Sequence, residues 1–269
     1  MTDVSRSLIE TSGYDREGFA AGYDRHRPRP PAVLLETLAR YVRVERPGLV
    51  VDLGCGTGLS TRAWAGRAER VIGVEPNAAM LAQAEPAEEG VEFREAFAQD
   101  TGLEDGCADI VTCSQSLHWM EPEPTFAEAA RILRPGGVFA AYDYDWPPVV
   151  DPEVDAAFDA YQRRRGEFRR QRGLMRGGDR WPKHEHLERM RESGRFSFCR
   201  ELLFHSVEEG NPDRIVGFAY SLGCPGVGVD DEEIERELRV AELEETARRV
   251  LGERTVLFLF GYRVRVGVV

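Results

Sequence analysis

Short apolar runs alternate with longer segments of helical periodicity over the first 145 residues of the chain. We predict strands near residues 49–53, 71–75, 91–95, 109–113 and 137–142, and all of these except 91–95 are mainly apolar. An unbroken apolar run suits a strand that is buried on both faces, as the strands of parallel sheets are. Because helical segments separate these strands, the pattern predicts an α/β fold built on a parallel sheet. Two later segments, 196–207 and 256–268, alternate apolar and polar residues and indicate two further strands.

The first apolar run stops in a glycine loop, LGCGTG at residues 53–58. Glycines at 54, 56 and 58 carry no Cβ, so the backbone can approach a ligand closely there. Residues 59–67 have a helical pattern, so we expect the first N–H groups of a helix to face the loop and favour an anion. Strand, glycine turn and helix together predict a cofactor site at the carboxyl end of a parallel strand.

A carboxylate ends the second apolar run. Glu75 follows Val71-Ile72-Gly73-Val74 and lies 23 positions after Asp52. A carboxylate there can accept hydrogen bonds from both hydroxyls of a ribose. The alternative is that Glu75 only caps the helix that begins at Pro76-Asn77. The glycine spacing also fits a nicotinamide or flavin site, so the loop alone does not identify the cofactor.

Two more segments narrow the choice of cofactor. The apolar run Asp109–Cys113 passes into small polar residues at 114–116, as expected where a strand ends beside a ligand. The segment 128–140 finishes a helix in an arginine-rich turn, stops at Pro135, turns through two glycines and begins a buried strand.

The four segments, in this order and at these spacings, resemble the motifs of the class I S-adenosylmethionine-dependent methyltransferases over about residues 19–145. They read VDLGCGTG at 51–58, VEPNAAML at 74–81, QSLHW at 115–119 and RILRPGG at 131–137. The branch resembled is the small-molecule group that includes ubiquinone-biosynthesis and trans-aconitate-type enzymes. The resemblance implies a Rossmann-like α/β fold. Its seven-stranded, mostly parallel sheet has an antiparallel last strand, helices on both faces and a helical lid insertion.

S-adenosylmethionine is the cofactor that this resemblance implies. Asp52, Gly54 and Gly56 would surround its methionine part, with Cys55 in the same loop, and Glu75 would hold its ribose. The other residues implied on the cofactor side are Tyr23, Arg27, Pro76, Asn77, Ala98, Gln99, Ser114 and Gln115. Gln99 departs from the acidic residue usual in the family, although its amide can still accept from an exocyclic amine. The set contains no metal, and none is expected.

The acceptor is expected to bind above the carboxyl ends of the strands. His118 follows the fourth strand and is the candidate general base, unless it is a structural histidine that shapes the pocket. Arg27 would neutralise the cofactor carboxylate or hold an acidic acceptor; the alternative is a surface arginine. Aromatic residues expected to line the pocket, unless they only pack, are Trp119, Tyr142, Tyr144 and Trp146.

Arginines are concentrated between residues 163 and 180, where eight stand against two acidic residues in a chain of net charge −12. Guanidinium groups suit carboxylate or phosphate recognition, so an anionic acceptor is one interpretation. The alternative, which we favour, is a solvated helix face that pairs with the acidic stretch at 230–245.

The domain organisation follows from these elements. Trp146-Pro147-Pro148 breaks the alternating pattern, and helical periodicity resumes beyond it at 155–172; another helix is expected at 32–42. We predict an N-terminal entrance segment at 1–35, a cofactor-binding core at 36–145, a helical lid insertion at 146–193, and a C-terminal part at 194–269 that completes the sheet and holds a second helical insertion at about 208–252.

Composition restricts partners and location. The net charge of −12 argues against a nucleic-acid partner, and no apolar run approaches the roughly 18 residues of a membrane span. The first residues lack the layout of a secretory signal, and five cysteines without CxxC spacing predict reduced thiols. A single lysine among 35 basic residues suggests a GC-rich, bacterial genome. We therefore expect a cytoplasmic protein.

The predicted function is metal-independent transfer of a methyl group from S-adenosylmethionine to a small-molecule acceptor, anionic or aromatic, by in-line displacement. The alternatives are a nicotinamide-dependent oxidoreductase and a protein that binds S-adenosylmethionine without transferring its methyl group. A carboxylate acceptor needs no base, so the sequence does not choose between O-, N- and C-methylation, and it does not indicate an oligomeric state.

Overall fold

The computed structural model describes residues 24–84, 88–172, 181–222 and 231–269. Its strands are β1 (Leu49–Leu53), β2 (Arg70–Glu75), β3 (Val91–Glu95), β4 (Ala108–Ser114), β5 (Leu133–Tyr144), β6 (Phe198–Gly210) and β7 (Val256–Val268). Its helices are α1 (Ala32–Tyr41), α2 (Leu59–Arg62), α3 (Ala78–Ala84), α4 (Pro122–Ile132), α5 (Pro152–Gln171), α6 (His186–Glu192), α7 (Pro212–Tyr220), α8 (Asp231–Leu238) and α9 (Val240–Leu251). Across these described ranges, no helix has the length and apolar character that a membrane span requires.

The strands form one seven-stranded sheet in the order β3-β2-β1-β4-β5-β7-β6. Strands β1 to β5 run parallel to their neighbours, whereas β7 runs antiparallel to β5, with Tyr144 opposite Tyr262. The predicted mostly parallel sheet with an antiparallel last strand is thereby confirmed. Because the carboxyl ends of parallel strands meet at one edge of a sheet, the glycine loop, Glu75 and Ser114 follow neighbouring strand ends.

The apolar runs of the sequence become the core of this sheet. All five residues of β1 are buried, as its unbroken apolar pattern predicts. Phe126 of α4, Phe139 of β5 and Phe196 pack with ring centroids 5.5 to 5.9 Å apart. Burial of each such ring contributes roughly 1.5–3 kcal/mol, so this packing holds α4 and the segment before β6 against the sheet.

The chain divides into two compact units. Among the described residues, the first contains residues 29–84, 88–144, 181–204 and 262–269, and the second contains residues 24–28, 145–172, 205–222 and 231–261. In the second unit, Phe158 of α5, Phe218 of α7 and Phe260 of β7 form an aromatic core with centroids 5.8 and 5.9 Å apart. The chain passes from the second unit to the first near residue 180, inside the predicted lid. The predicted domain boundaries stay a prediction.

Much of the arginine run lies on α5, where the structure favours pairing within the second unit. Arg164 Nη1 lies 3.1 Å from Glu242 Oε2, and Arg172 pairs with Glu233. Buried Arg165 donates to the backbone carbonyl of Leu222. For Arg164 and Arg172 the predicted pairing with the acidic stretch is confirmed, whereas Arg165 is buried and pairs with backbone instead. Residues 173–180 lie outside the described residues.

The predicted helix at 59–67 is wrong beyond its first turn. α2 contains four residues, Leu59–Arg62, and turns follow it. Ala63 N donates to Ser60 O and Trp64 N to Thr61 O, the i to i−3 bonds of a tight turn, and Gly66 has a left-handed φ of +71°. A helix of four residues has little macrodipole, so its N-terminus does not favour an anion as we expected from the sequence.

Candidate active site

The glycine loop after β1 has left-handed φ at Gly54 (+67°), Gly56 (+57°) and Gly58 (+81°), where side chains with a Cβ are disfavoured. A Cβ on Gly54 would lie 2.6 Å from the Met120 methyl, and one on Gly58 would lie 2.6 Å from the Phe93 ring. A Cβ on Gly56 would meet, among the described residues, a single methionine methyl at 3.2 Å. Gly54 and Gly58 therefore pack the loop against the protein, and Gly56 is the point where a ligand can approach its backbone.

Asp52 holds this loop from inside the protein. Its carboxylate is completely buried; Oδ2 accepts from the Ser60 and Thr61 hydroxyls at 2.6 and 2.8 Å, and Oδ1 accepts from the Thr112 hydroxyl at 2.8 Å. Desolvation by burial outweighs these hydrogen bonds and raises the pKa of Asp52. The side chain of Asp52 has no exposed surface and joins β1, α2 and β4, and its place beside the methionine part of a cofactor stays a prediction.

Glu75 has the geometry expected of a ribose-binding carboxylate. Its Oε2 accepts from Gly56 N and its Oε1 from Asn77 N, both at 3.0 Å. Burial raises the pKa of Glu75. Each carboxylate oxygen has two acceptor sites, so one on each remains for a diol. The helix cap is Asn77, whose Oδ1 accepts from Ala79 N and Met80 N, so Glu75 is not needed for that task.

The other cofactor-side residues differ in exposure. Those that are buried are Cys55, Asn77 and Ala98, and those that are partly exposed are Pro76, Gln99, Ser114 and Gln115. Burial raises the pKa of the Cys55 thiol well above its usual range, so Cys55 is a neutral packing residue of the loop. Their contacts with a cofactor stay predictions.

Tyr23 and Arg27 are the two candidate residues of the entrance segment. Tyr23 lies outside the described residues. Arg27, in the second unit, is 6% exposed; its Nε donates to Ser221 Oγ at 2.9 Å and its guanidinium lies 5.9 Å from the Phe218 ring centroid. Arg27 is therefore not the surface arginine of the alternative reading, and its contact with a cofactor or acceptor stays a prediction.

Gln115 forms the turn after β4 in an uncommon conformation. Its φ is +53°, a left-handed value that costs a non-glycine residue roughly 1–3 kcal/mol and is frequent at functional sites. Its backbone N donates to Tyr142 O at 2.9 Å and its Nε2 donates to Tyr144 O at 3.2 Å. Its Oε1 accepts from Lys183 Nζ. Neighbouring Ser116 donates to Leu53 O at 2.7 Å, which ties this turn to the glycine loop.

Lys183 is the site neighbour that sequence reasoning missed. It lies in a 3-10 turn, Lys183–Glu185, that is 68 positions beyond Gln115 in the chain. One feature of the sequence could have pointed to it: Lys183 is the only lysine in the sequence, which we interpreted as a sign of genome composition.

His118 lies in the 3-10 turn Leu117–Trp119, directly after the turn at Gln115. It is 7% exposed, its backbone O accepts from Trp181 N at 2.8 Å, and its ring centroid lies 5.4 Å from that of Trp119. The structure thus places His118 and Trp119 together beside the carboxyl end of β4. Whether the imidazole takes a proton or shapes the pocket stays a prediction.

The aromatic residues at the end of β5 pack more than predicted. Tyr142 is 1% exposed, and burial raises the pKa of its phenol well above the usual range. That Tyr142 lines an acceptor pocket stays a prediction. Tyr144 is buried edge-on against Tyr262, with centroids 5.7 Å apart. Residues 137–144 of β5 are buried without a break, so both faces of this strand are covered. Trp146 is partly exposed and belongs to the second unit.

Comparison with known proteins identifies the region around this site. Residues 51–141 match a family model described as a methyltransferase domain. Residues 51–141 form a methyltransferase domain, similar to that of S-adenosylmethionine-dependent relatives. This confirms the family resemblance and S-adenosylmethionine as the cofactor of the family. The methyltransferase domain includes the glycine loop, Glu75, Gln115 and His118.

Relatives extend the similarity beyond that domain. The Saccharomyces cerevisiae "Probable S-adenosylmethionine-dependent methyltransferase CRG1" is 31% identical over 155 residues, 55% of this chain and 53% of that protein. The malonyl-[acyl-carrier protein] O-methyltransferase of Pectobacterium atrosepticum is 32% identical over 126 residues, 46% of this chain and 48% of the relative. The chain thus spans about half the length of these curated relatives. The structure of a "Putative Type II Methyltransferase" from Anaeromyxobacter dehalogenans is 28% identical, with a TM-score of 0.65 over 90% of this chain and 97% of the other.

In the ranges that the structure describes, no group of three or more His, Cys, Asp or Glu side chains is arranged to hold a metal ion. That the methyltransferase domain works without a metal stays a prediction.

Proposed function

We propose that the protein transfers the methyl group of S-adenosylmethionine to a small-molecule acceptor. The observation that carries the proposal is the carboxylate of Glu75, which is held by the N–H groups of Gly56 and Asn77 at 3.0 Å each. Each of its oxygens has a second acceptor site, and we assign these two sites to the diol of the cofactor's ribose. The glycine backbone at Gly56 offers the close approach that the rest of the cofactor needs.

The chemistry that the bound cofactor supplies is an electrophilic methyl group on a sulfonium. The protein's part is to align the acceptor within about 3–3.5 Å of that carbon and to exclude water, which together account for much of the acceleration. Gln115 and His118 follow β4, next to the loop that binds the cofactor, and we assign them to the side of the methyl group. A neutral alcohol or amine would lose its proton to the His118 imidazole.

Small carboxylic acids are the acceptor class that we propose first. A carboxylate attacks without losing a proton, so it does not depend on His118, whose side chain is 7% exposed, as a base. The similarity to a malonyl-[acyl-carrier protein] O-methyltransferase also supports an oxygen acceptor. Aromatic acids combine this charge with a ring that Trp119 could contact.

Calorimetric titration tests the cofactor part of the proposal. We expect the protein to bind S-adenosylmethionine and S-adenosylhomocysteine but not NADH. We expect Glu75→Gln to weaken the binding of both sulfur ligands at least tenfold. Glu92→Gln is the matched control, because Glu92 is an exposed strand carboxylate paired with Arg70. NADH binding without binding of the sulfur ligands would revive the oxidoreductase alternative and refute the proposal.

Product analysis tests the transfer itself. The protein is incubated with methyl-labelled S-adenosylmethionine and a panel of aliphatic and aromatic acids, alcohols and amines. We expect labelled esters and stoichiometric S-adenosylhomocysteine. Label in an N-methylated or C-methylated product would support methyl transfer but would reject carboxylic acids as the acceptor class. Tight binding with no labelled product from any acceptor would favour a protein that binds the cofactor without methyl transfer.

A further inference from the structure

Lys183 is the only lysine in the 269-residue chain, and its ammonium lies at the ends of β4 and β5. Nζ is 2.7 Å from Asp143 Oδ1 and donates to Gln115 Oε1 at 2.5 Å. The Lys183 side chain is 32% exposed and that of Asp143 is 10% exposed. An ammonium that is bound by a carboxylate and an amide oxygen in a largely covered site is held in place, whereas most lysines extend into water.

The charge of Lys183 is balanced within its own cluster. Asp143 Oδ2 lies 2.8 Å from Arg265 Nη1, and Arg265 Nε lies 3.1 Å from Glu201 Oε2. Two cations thus alternate with two carboxylates. A third cation, Arg263, lies with its Nη1 3.8 Å from Glu201 Oε1 at the far end of this chain of ion pairs. Because the ammonium of Lys183 is itself paired with Asp143, we assign Lys183 to orientation rather than to charge recognition.

The group that Lys183 orients is Gln115. With Oε1 accepting from Lys183 and Nε2 donating to Tyr144 O, both ends of the Gln115 amide are bound. The same residue has the left-handed backbone of the turn after β4. Such a conformation persists where surrounding contacts over-determine it, and the Lys183 bond is one of those contacts.

A second contact joins the segment that carries Lys183 to the same turn. Trp181 N donates to the backbone O of His118 at 2.8 Å. Trp181 is also stacked under the guanidinium of Arg189, 4.8 Å from the ring centroid. Residues 181–183 are therefore bonded to residues 115–118 at two points, one at each end of the turn.

We propose that Lys183 is a positioning residue of the methyl-transfer site, which fixes Gln115 and couples the docking of residues 181–183 to occupancy of the cofactor site. This proposal rests on the proposed function, because Gln115 is placed beside the methyl group only if S-adenosylmethionine binds in the glycine loop. The coupling predicts that a ligand in the cofactor site stabilises the Lys183–Gln115 contact. By linkage, loss of the contact weakens binding of that ligand by the same factor as the ligand stabilises the contact.

The single lysine makes the proposal testable by amine chemistry on the intact protein. An N-hydroxysuccinimide ester acylates Lys183 and the N-terminal amine, and peptide mass spectrometry separates the two. We expect saturating S-adenosylhomocysteine to slow acylation of Lys183 at least fivefold and to leave the N-terminal amine unchanged. Gln115→Ala should raise the ligand-free rate at least threefold and remove most of the protection.

Substitutions at Lys183 supply the second readout. Lys183→Met should weaken S-adenosylhomocysteine binding at least fivefold by calorimetry, and Lys183→Arg, which keeps a cation, should recover most of that loss. Arg191→Met is the control, because Arg191 is an exposed cation of α6 paired with Glu188. Circular dichroism and the melting temperature report folding, and the acylation measurements on the wild type do not depend on any variant.

Equal acylation of Lys183 in the wild type and Gln115→Ala overturns the proposal, as does wild-type affinity in Lys183→Met. An equal loss of affinity in Lys183→Met and Arg191→Met also overturns it, since charge alone would then be responsible. Failure of the wild type to bind S-adenosylhomocysteine overturns the proposed function itself. Binding that is indifferent to Lys183 overturns this inference alone.

Discussion

His186, the first residue of α6, predicts a specific pH dependence of the protein's stability. The side chain is completely buried, and among the described residues neither ring nitrogen has a hydrogen-bond partner. Burial lowers the pKa of His186 to about 4. Asp143 opposes this shift, whereas Arg265, Arg189 and Lys183 add to it. The imidazole is therefore neutral in the folded protein at pH 7.

The size and sign of the effect follow from proton linkage. The unfolded chain protonates His186 near pH 6.5, whereas the folded protein does so near pH 4. Because the folded pKa is depressed, the stability contribution is fully present above pH 6.5 and is lost as the pH falls toward 4. The loss is about 1.4 kcal/mol at pH 5.5 and about 2.5 kcal/mol at pH 4.5.

Urea unfolding at pH 7.5, 5.5 and 4.5 measures this effect in the wild type and in His186→Leu. Other titrating groups, including Asp52 and Glu75 with their raised pKa values, are common to both proteins and cancel in the difference. The variant should lose less stability than the wild type between pH 7.5 and 5.5, by about 1.4 kcal/mol. The control is His184→Leu, because the side chain of His184 is 82% exposed.

Parallel pH profiles for the wild type and His186→Leu would refute the reasoning, because they would mean that His186 has the same pKa in the folded and unfolded chains. A change of profile in His184→Leu of the same size would assign the effect to surface charge instead.

Three further outcomes are expected. Gly56→Ala and Gly66→Ala place a Cβ at φ of +57° and +71° and should each cost about 1–2 kcal/mol in urea unfolding. Calorimetry should show a large loss of S-adenosylhomocysteine affinity only for Gly56→Ala, since Gly66 has open space around it and lies outside the loop; equal losses would mean that strain alone matters. Asp52→Asn leaves hydroxyl donors without a charged acceptor and should lower the free energy of unfolding by about 1–3 kcal/mol at pH 7, whereas wild-type stability would contradict its buried role. His118→Ala should lower the rate of methyl transfer while S-adenosylhomocysteine affinity changes less than twofold, and the reverse pattern would move His118 to the cofactor side.

Local pattern was enough to predict much of the fold. Strand β7 begins and ends at the predicted residues, Val256 and Val268, and α5 lies within a few residues of the predicted 155–172. Periodicity reports which side chains share a face, and glycine reports where the backbone must turn, so both are readable from neighbours in the chain. The glycine loop and the carboxylate of Glu75 were predictable for the same reason.

Side-chain roles at the site depended on residues far apart in the sequence. Asp52 accepts from hydroxyls up to 60 positions away, and Tyr142 lies on a strand that is buried on both faces. The partner of Gln115 is a lysine 68 positions later, on a segment with no motif. The residues alone were enough to predict the α/β sheet and its cofactor loop, because both depend on local backbone requirements, and the family resemblance of the ordered motifs supplied the cofactor class. The partners of the buried polar groups became known only from the fold, because burial and pairing are set by neighbours that the fold brings together.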